Sequence, residues 1–439
     1  MNEQPQRSLT LFDTTCLIVG IIVGAGLYET APDVATSTNQ LGFLLGLWLC
    51  GGVISFIGSL CYAELATTYP REGGDYVYLS KAYGPWAGFL FGWIQLTIVR
   101  PGDIAVMAFV FARYVQAVTG IALNSTGNTV FIECLFASLA VIIFTAINIF
   151  GVREGKWTQN ALTVVKAIGL LSIVGIALIT PGFHASETNT VETAANFPVG
   201  VALVLVLFSF GGWNEMAYVA AEIKNPQQNI VRAMTLGLGV VLGLYLLANL
   251  AFVHVLGMAG VSASKAVAID VVAARFPGIA ATAVGILIAI SALGSMHGLI
   301  LTGARISYAV GTEHRLFKTV GLWNQKLGTP TRALVLQACI ALILINLLET
   351  FTRTLLYTAA AVYLFYLFTS LSVILLRLKE PNVERPFRIP FFPWSVFVFA
   401  IACGFMTYSA ILYKPMVSGV AFLIILLGLP VYFLQKQHA

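Results

Sequence analysis

The stretch GIIVGAGLYE, residues 20–29, lies inside the first long apolar run of the chain. It carries three glycines and one acid where a membrane helix would carry leucine and valine. Glycine destabilises a helix interior by about 1 kcal/mol relative to alanine, although glycine also allows close packing between membrane helices. We predict that the helix unwinds at Gly24-Ala25-Gly26, with close packing as the competing interpretation.

The composition is that of an integral membrane protein. Of the 439 residues, 58% are hydrophobic and only 10% are charged, whereas a soluble domain carries about 25% charged residues. The apolar runs are long and continuous, which favours an all-α fold over a barrel of short alternating strands. We expect about twelve spans, each needing about 20 apolar residues. They lie at about 9–33, 41–68, 84–117, 128–151, 157–180, 197–221, 229–257, 277–311, 331–348, 352–377, 390–413 and 415–434.

The charges predict an orientation. Placing the N-terminus in the cytoplasm puts most of the 24 Lys and Arg residues in cytoplasmic loops, as the positive-inside rule requires. We therefore expect a multi-pass protein of the cell membrane with both termini in the cytoplasm. The net charge of +5 then reflects orientation and gives no reason to expect nucleic-acid binding.

A second glycine pair interrupts the sixth span. Gly211 and Gly212 lie near its middle and are followed by Trp213, an asparagine and an acid. Two breaks separated by five spans indicate inverted repeats of a secondary transporter. We predict a single membrane domain over 1–439, with repeat one at about 9–180, repeat two at about 197–377 and two appended helices at about 390–434.

Such breaks suit an α-amino acid head group, because unwound backbone groups need partners inside a membrane. Amide groups that begin a half-helix attract an anion, so we expect a carboxylate at the first break. Its donors would be the N–H groups near Gly24, Ala25 and Gly26. The ammonium would be held by carbonyl groups around Ile21, Phe210 and Gly211.

Ionisable residues inside the spans are functional candidates by default. Lys166 lies about 14 Å into span 5, counted at 1.5 Å per residue, and would be a proton carrier or a fixed internal cation. Glu29 faces either the permeation path or the water at the helix end. Arg100 and Asp103 flank Pro101-Gly102 in span 3, and the simplest interpretation pairs them with each other. His297 in span 8 is interpreted first as a packing residue and second as a proton relay.

Several function classes are disfavoured. No Walker A loop, HExxH, EF-hand or cysteine cluster occurs, and no soluble segment is long enough to bind a nucleotide. We therefore expect neither an enzyme nor an ATP-driven pump, and no cofactor or metal. The six cysteines all lie within or at the ends of apolar spans, where they act as small packing residues.

The motifs resemble those of the amino acid–polyamine–organocation (APC) superfamily, within it the L-type amino acid transporter branch and its prokaryotic relatives. The opening stretch GIIVGAGLY is similar to that family's GxIIGSGIF. The other matching segments follow in the family's order: Cys61-Tyr-Ala-Glu-Leu65, Gly73-Gly-Asp-Tyr-Val-Tyr78, Tyr83-Gly-Pro85, Arg100-Pro101, Phe208 to Trp213, Glu222-Ile-Lys-Asn-Pro226 and Glu384-Arg-Pro-Phe-Arg-Ile-Pro390.

The resemblance implies a five-plus-five inverted-repeat fold (LeuT-like) with two appended helices, with helices 1 and 6 broken, and alternating access. It implies that the two breaks bind the substrate, through the backbone groups named above and Gly212 and Trp213. Lys166 matches a span 5 lysine that replaces a sodium ion in related carriers and bridges span 1 to span 8, where Ser291 or Ser295 could be its partner. Tyr245 matches a span 7 tyrosine near that junction.

Departures from the family pattern concern specificity and partners. Ala25 and Tyr28 replace the family's Ser and Phe, Glu29 is unusual after the motif, and His297 stands where Asn is frequent. These positions make Tyr28, Glu29 and His297 candidates for setting the substrate. The loop at 117–128 has no cysteine, so we expect no disulfide-linked heavy subunit.

These observations lead to a sodium-independent carrier of neutral L-amino acids that works as an exchanger. The aromatic surroundings of the second break, Phe208, Phe210 and Trp213, argue against a strongly charged substrate side chain, and Phe210 or Trp213 would act as a gate. Two alternatives stay open, a proton-coupled symporter of amino acids or polyamines and a non-transporting amino acid sensor. The oligomeric state is not predicted.

Overall fold

The computed structural model of the protein describes residues 9–24, 26–38, 40–70, 73–121, 129–149, 156–182, 198–218, 220, 223–313, 317–324, 327 and 329–437. These residues are almost entirely helical, and their only β contacts are two isolated bridges. Two helices form each of spans 1 and 6, and one π-helical segment lies in span 3. The helices are α1 (Leu11–Ile22), α2 (Gly26–Thr38), α3 (Leu41–Thr68), α4 (Asp75–Tyr83), α5 (Pro85–Ile94), α6 (Arg100–Thr119), α7 (Thr129–Ile149), α8 (Lys156–Ile179), α9 (Val199–Ser209), α10 (Glu215–Tyr218), α11 (Pro226–Ala263), α12 (Val267–Ala273), α13 (Ile279–Glu313), α14 (Thr331–Leu348), α15 (Phe351–Lys379), α16 (Trp394–Tyr413) and α17 (Pro415–Gln437).

The prediction of an all-α multi-pass membrane protein is confirmed. In the described part of the chain, nine helices are long and apolar enough to cross a membrane, and α1 with α2 makes a tenth when the bent pair counts as one span. Two shorter apolar helices, Thr163–Ile179 and Val199–Ser209, occupy the ranges expected for spans 5 and 6. The count of twelve crossings and the inverted repeat stay predictions.

Both predicted interruptions are present. The first span is helical up to Ile22 and again from Gly26, and its two halves meet at an angle of 48°. The sixth is helical up to Ser209 and again from Glu215. Ala25 lies outside the described residues.

The two breaks are packed directly against each other. Gly212 has φ +105°, a conformation that L side chains rarely adopt, and a methyl group there would lie 2.4 Å from Cγ2 of Ile21. Glycine is therefore required at Gly212 both by the backbone and by the neighbouring helix.

Span 3 contains a feature that hydropathy did not indicate. A π-helical turn, Gln95–Val99, separates α5 from α6. Single π-turns are frequent at functional sites, because the extra residue in the turn changes the direction of the side chains that follow.

Three of the quoted motifs meet where α3 and α15 end. Arg377 donates two hydrogen bonds of 2.7 Å to Glu64, and the backbone N–H of Ile389 donates a third of 2.7 Å. Nearby, Asp75 accepts from Tyr62 and from Thr369. We call Glu64, Arg377, Ile389, Asp75, Tyr62 and Thr369 the terminal cluster.

Next to this cluster, Glu380 accepts from the Tyr69 hydroxyl at 2.5 Å and from Lys81 at 3.1 Å. These two donors hold the pKa of the Glu380 carboxyl below its usual range. These contacts join α3, α4 and α15 at this end of the bundle.

Candidate functional site

A cavity of about 470 Å³ lies where the two interrupted spans meet α6, α8, α13 and α15. Its volume falls within the roughly 300–1,000 Å³ of small-molecule sites. Eight of the predicted site residues border it: Ile21, Gly24, Gly26, Lys166, Gly211, Gly212, Trp213 and Ser295. The geometry therefore brings most of the predicted substrate and coupling residues to one place.

Lys166 connects the first break to α13. Its ammonium donates to the carbonyl of Gly20 at 3.4 Å and to the hydroxyl of Ser295 at 3.3 Å. Ser295 in turn donates to the carbonyl of Ser291 at 3.2 Å, so Ser291 takes part only through its backbone. Lys166 forms no ion pair with a described residue, and backbone dipoles and a hydroxyl hold its charge.

The side chain of Tyr245 links the two breaks to each other. Its hydroxyl lies 2.7 Å from the carbonyl oxygen of Ile22, the last residue of α1, and 3.0 Å from that of Ser209, the last residue of α9. Carbonyls at a helix C-terminus have no intrahelical partner, and the single proton of this hydroxyl is within reach of both. Thr30 and Ser209 add a second link, with their hydroxyl oxygens 2.7 Å apart.

The two aromatic gate candidates have different places. Phe210 does not border the cavity; it is fully buried between Trp48, at 6.0 Å between ring centroids, and Tyr245, at 5.1 Å. Trp213 borders the cavity and packs against Tyr62 at 5.0 Å. Of the two candidates, only the Trp213 ring is in contact with the space that a substrate would occupy.

The cavity also holds charges that the sequence did not place there. Arg100 and Glu215 form an ion pair of 2.8 Å, and Arg100 also donates to Gln95 at 3.0 Å. Arg100, Glu215, Gln95 and Asp103 all border the cavity. The expected local pair of Arg100 with Asp103 is corrected: among the described residues, the carboxylate within ion-pair distance of Arg100 is that of Glu215, the first residue of α10 after the second break.

Glu29 lies at neither of its two expected positions. Its side chain is 1% exposed and forms an ion pair with Arg113 of α6, which also approaches Glu133 of α7 at 3.6 Å. Glu29 therefore does not face water, and it does not border the cavity. An opposite charge in a neighbouring span is the signal that would have indicated this pairing.

Tyr28 and His297 also lie away from the cavity lining. Tyr28 packs against Phe252 at 6.4 Å between ring centroids. His297 is buried, and its Nδ1 lies 2.7 Å from Nδ2 of Asn148, as expected for a packing residue with a hydrogen-bond partner. None of the three candidate specificity positions borders the cavity.

The sequence model of the amino acid permease family matches residues 9–434. The chain belongs to the amino acid permease family. Its members are transporters and not enzymes, and the resemblance to the APC superfamily is thereby confirmed.

Among curated relatives of this permease, the b(0,+)-type amino acid transporter 1 of Mus musculus is 29% identical over 435 residues, covering 98% of this chain and 88% of the relative. The large neutral amino acids transporter small subunit 2 of Homo sapiens is 30% identical over 445 residues, covering 98% and 80%. The similarity thus extends over the whole membrane domain of the permease.

Proposed function

We propose that the protein is a sodium-independent exchanger of neutral L-amino acids that works by alternating access. The observation that supports this proposal most strongly is that both interrupted spans border one cavity. In addition, Lys166 is hydrogen-bonded to both Gly20 and Ser295. The relatives named for amino acid transport support the substrate class.

The head group of the substrate would replace the backbone partners that the breaks lack. The first amide groups of α2, from Gly26 onward, have no intrahelical acceptor and favour a carboxylate. Ile21 and Gly211 border the cavity, and we expect their carbonyl oxygens to accept from the ammonium. Phe208 and Trp213 would surround an uncharged side chain.

Independence from sodium would follow from Lys166. Its ammonium already provides a positive charge between the first break and α13, and a covalently bound cation cannot be driven by an ion gradient. Exchange follows from the same geometry, because an empty site leaves backbone groups of both breaks without partners, and a substrate must supply them for the carrier to return.

The cavity suggests which side is accessible. Leu9 and Leu17, at the N-terminal end of the first span, border the cavity. Toward the other side, the ring of Phe208 packs on that of Phe351, with 6.2 Å between the ring centroids. Cζ of Arg113 lies 6.0 Å from the centroid of the Phe351 ring, so the Arg113 side chain covers this side of the aromatic pair. With the N-terminus in the cytoplasm of a cell-membrane protein, this conformation opens inward and is closed outside.

Transport would then move the two repeats, 9–180 and 197–377, relative to each other around the substrate, while the helices after 390 stay appended. We further propose that no disulfide-linked partner is needed. The human relative is named a small subunit, but the loop at 117–128 of this chain contains no cysteine.

The test is a counterflow panel in proteoliposomes with every amino acid and common amines, in sodium and in choline buffer. We expect neutral amino acids to be taken up only when the lumen contains amino acid, at equal rates in the two buffers. A requirement for sodium contradicts the proposal. Uptake into empty vesicles driven by a pH gradient selects a proton symporter, and binding without counterflow selects a sensor.

A further inference from the structure

The chain between α15 and α16 is held in place by hydrogen bonds to neighbouring helix ends. Arg385 donates to the carbonyl oxygens of Leu376 and Glu380, both at 2.9 Å. The buried Ile389 donates its N–H to Glu64 of the terminal cluster at 2.7 Å. The side chains that this connection does not bury are therefore displayed in fixed directions at the end of two membrane-spanning helices.

Two large aromatic side chains at the end of this connection point away from the protein. Phe391 is 85% exposed, and Trp394, the first residue of α16, is 72% exposed. Phe391 also has φ +55°, a left-handed conformation that is an outlier for a bulky side chain. Backbone strain is concentrated at functional positions, and a strained residue whose ring makes little contact with the protein indicates a contact outside it.

The exposed face of α16 indicates that lipid surrounds these rings. α16 is apolar enough to cross a membrane, and its exposed apolar side chains recur every three or four residues, which places them in one stripe. The stripe consists of Trp394, Phe397, Ile401, Phe405, Tyr408 and Leu412. Trp394 begins this lipid-facing stripe and Phe391 lies just before it, so both rings lie where the membrane meets water, the level at which Trp is enriched.

An arginine without a protein partner precedes these rings in the chain. Arg388 is exposed, and it forms no hydrogen bond or ion pair with any residue that the structure describes. Glu384, four residues earlier, is also exposed and does not pair with it. The described basic residues around the terminal cluster are instead bound to carboxylates or carbonyls of the protein, namely Lys81, Arg377, Lys379 and Arg385. The guanidinium of Arg388 is thus available to a group outside the protein.

We propose that Arg388, Phe391 and Trp394 bind one anionic phospholipid of the surrounding bilayer. A guanidinium donates two parallel hydrogen bonds to a phosphate, and the two rings pack on the glycerol region and on the upper part of an acyl chain. With the N-terminus in the cytoplasm, this end of the bundle lies in the leaflet whose surface is negatively charged. The inference goes beyond the exchange function and does not depend on it.

The test titrates the purified permease in detergent with dioleoyl phosphatidylglycerol and, separately, with dioleoyl phosphatidylcholine, and counts bound lipids by native mass spectrometry. We expect the wild type to bind the first phosphatidylglycerol more tightly than the first phosphatidylcholine. Arg388→Gln should raise the Kd for phosphatidylglycerol by about tenfold or more, as for the loss of a charge-assisted hydrogen bond. Phosphatidylcholine should be affected less, because its choline group already neutralises the phosphate. The matched control is Arg275→Gln, which changes an exposed arginine beyond the end of α12 and leaves both constants unchanged.

Phe391→Gly separates the lipid contact from folding. Glycine adopts φ +55° without strain, so this variant should melt at an equal or higher temperature in detergent without lipid. Because it lacks the ring, it should bind both lipids more weakly than the wild type. A lower melting temperature with unchanged lipid binding would assign Phe391 to the fold and overturn its part in the site.

The remaining outcomes concern the headgroup. Equal Kd values of the wild type for the two lipids, or an Arg388→Gln variant that binds phosphatidylglycerol as the wild type does, overturn the inference. Displacement of phosphatidylglycerol from the wild type by inorganic phosphate would show a site for a soluble anion and would also overturn it. Because no exchange is measured, none of these outcomes bears on the proposed function.

Discussion

Glu64 and Asp103 are two acids within the helix bundle with opposite surroundings. The Glu64 side chain is 3% exposed, and its carboxylate receives both arms of Arg377 and a backbone N–H. Asp103 borders a cavity and has no hydrogen-bond partner among the described residues. A charge that the protein neutralises by itself holds helices together, whereas a charge left to a cavity is available to a solute.

The same contrast separates the terminal cluster from the region of the two breaks. The cluster uses one ion pair and several hydrogen bonds, and it joins the ends of α3 and α15. The breaks use glycine, helix-end carbonyls and the single ammonium of Lys166. Substitutions in the cluster should therefore affect stability first, and substitutions at the breaks should affect transport first.

The largest effect on transport is expected at Lys166. Lys166→Ala removes the donor shared by Gly20 and Ser295, so the first break loses its link to α13. We expect exchange to be abolished while the protein keeps its size-exclusion profile. The control is Lys265→Ala at an exposed position. Unaltered exchange in proteoliposomes would refute the role given to Lys166.

The largest effect on stability is expected in the terminal cluster. Glu64→Ala leaves the Arg377 guanidinium and the Ile389 amide without their acceptor, and breaking a buried ion pair costs about 3–5 kcal/mol. We expect a clearly lower apparent melting temperature in detergent. Glu380→Gln, at a carboxyl that is 31% exposed, should change it little. Equal melting temperatures for Glu64→Ala and Glu380→Gln would contradict the difference between the buried and the exposed carboxylate.

An intermediate effect is expected at the contact between the breaks. Gly212→Ala forces a side chain into φ +105° and against Ile21. If strain of about 1–3 kcal/mol is borne by the transporting conformation, exchange falls by roughly fivefold to a hundredfold. Gly243→Ala is the matched control, because no atom lies within 4 Å of the added methyl group. A Gly212→Ala variant as active as this control would show that the breaks tolerate separation.

The smallest effect is expected for Tyr245→Phe. This change removes one hydroxyl that faces two helix-end carbonyls and keeps the ring packed against Trp48 at 5.5 Å. The loss of about 0.5–1.5 kcal/mol predicts a severalfold lower exchange rate with nearly unchanged melting. If the melting temperature fell by as much as for Glu64→Ala, the main role of the Tyr245 hydroxyl would be to stabilise the fold.

Hydropathy and glycine placement were sufficient to predict an all-α membrane protein and the positions of both breaks, because apolar length and helix-breaking residues act locally. The depth of Lys166 along span 5, counted from the rise per residue, stays a prediction. Its contact with Ser295 came from the family resemblance and not from the spacing.

The ion pairs could not be derived in the same way. Arg100 and Glu215 are 115 positions apart, and the π-turn before Arg100 shifts the face that span 3 presents. Glu29 and Arg113 likewise lie on different spans, and no periodicity connects them. One rule could have suggested both pairs, namely that charges inside a membrane pair either with one another or with backbone carbonyl groups.

The most direct measurement asks whether the breaks recognise both charges of an amino acid head group. Counterflow of a neutral L-amino acid is measured against its methyl ester and against the corresponding acid without the amino group, each loaded into the vesicle lumen. We predict that only the intact amino acid stimulates uptake, because each analogue leaves one set of backbone groups unpaired. Stimulation by either analogue at the rate of the amino acid would contradict the assignment of the head group to the two breaks.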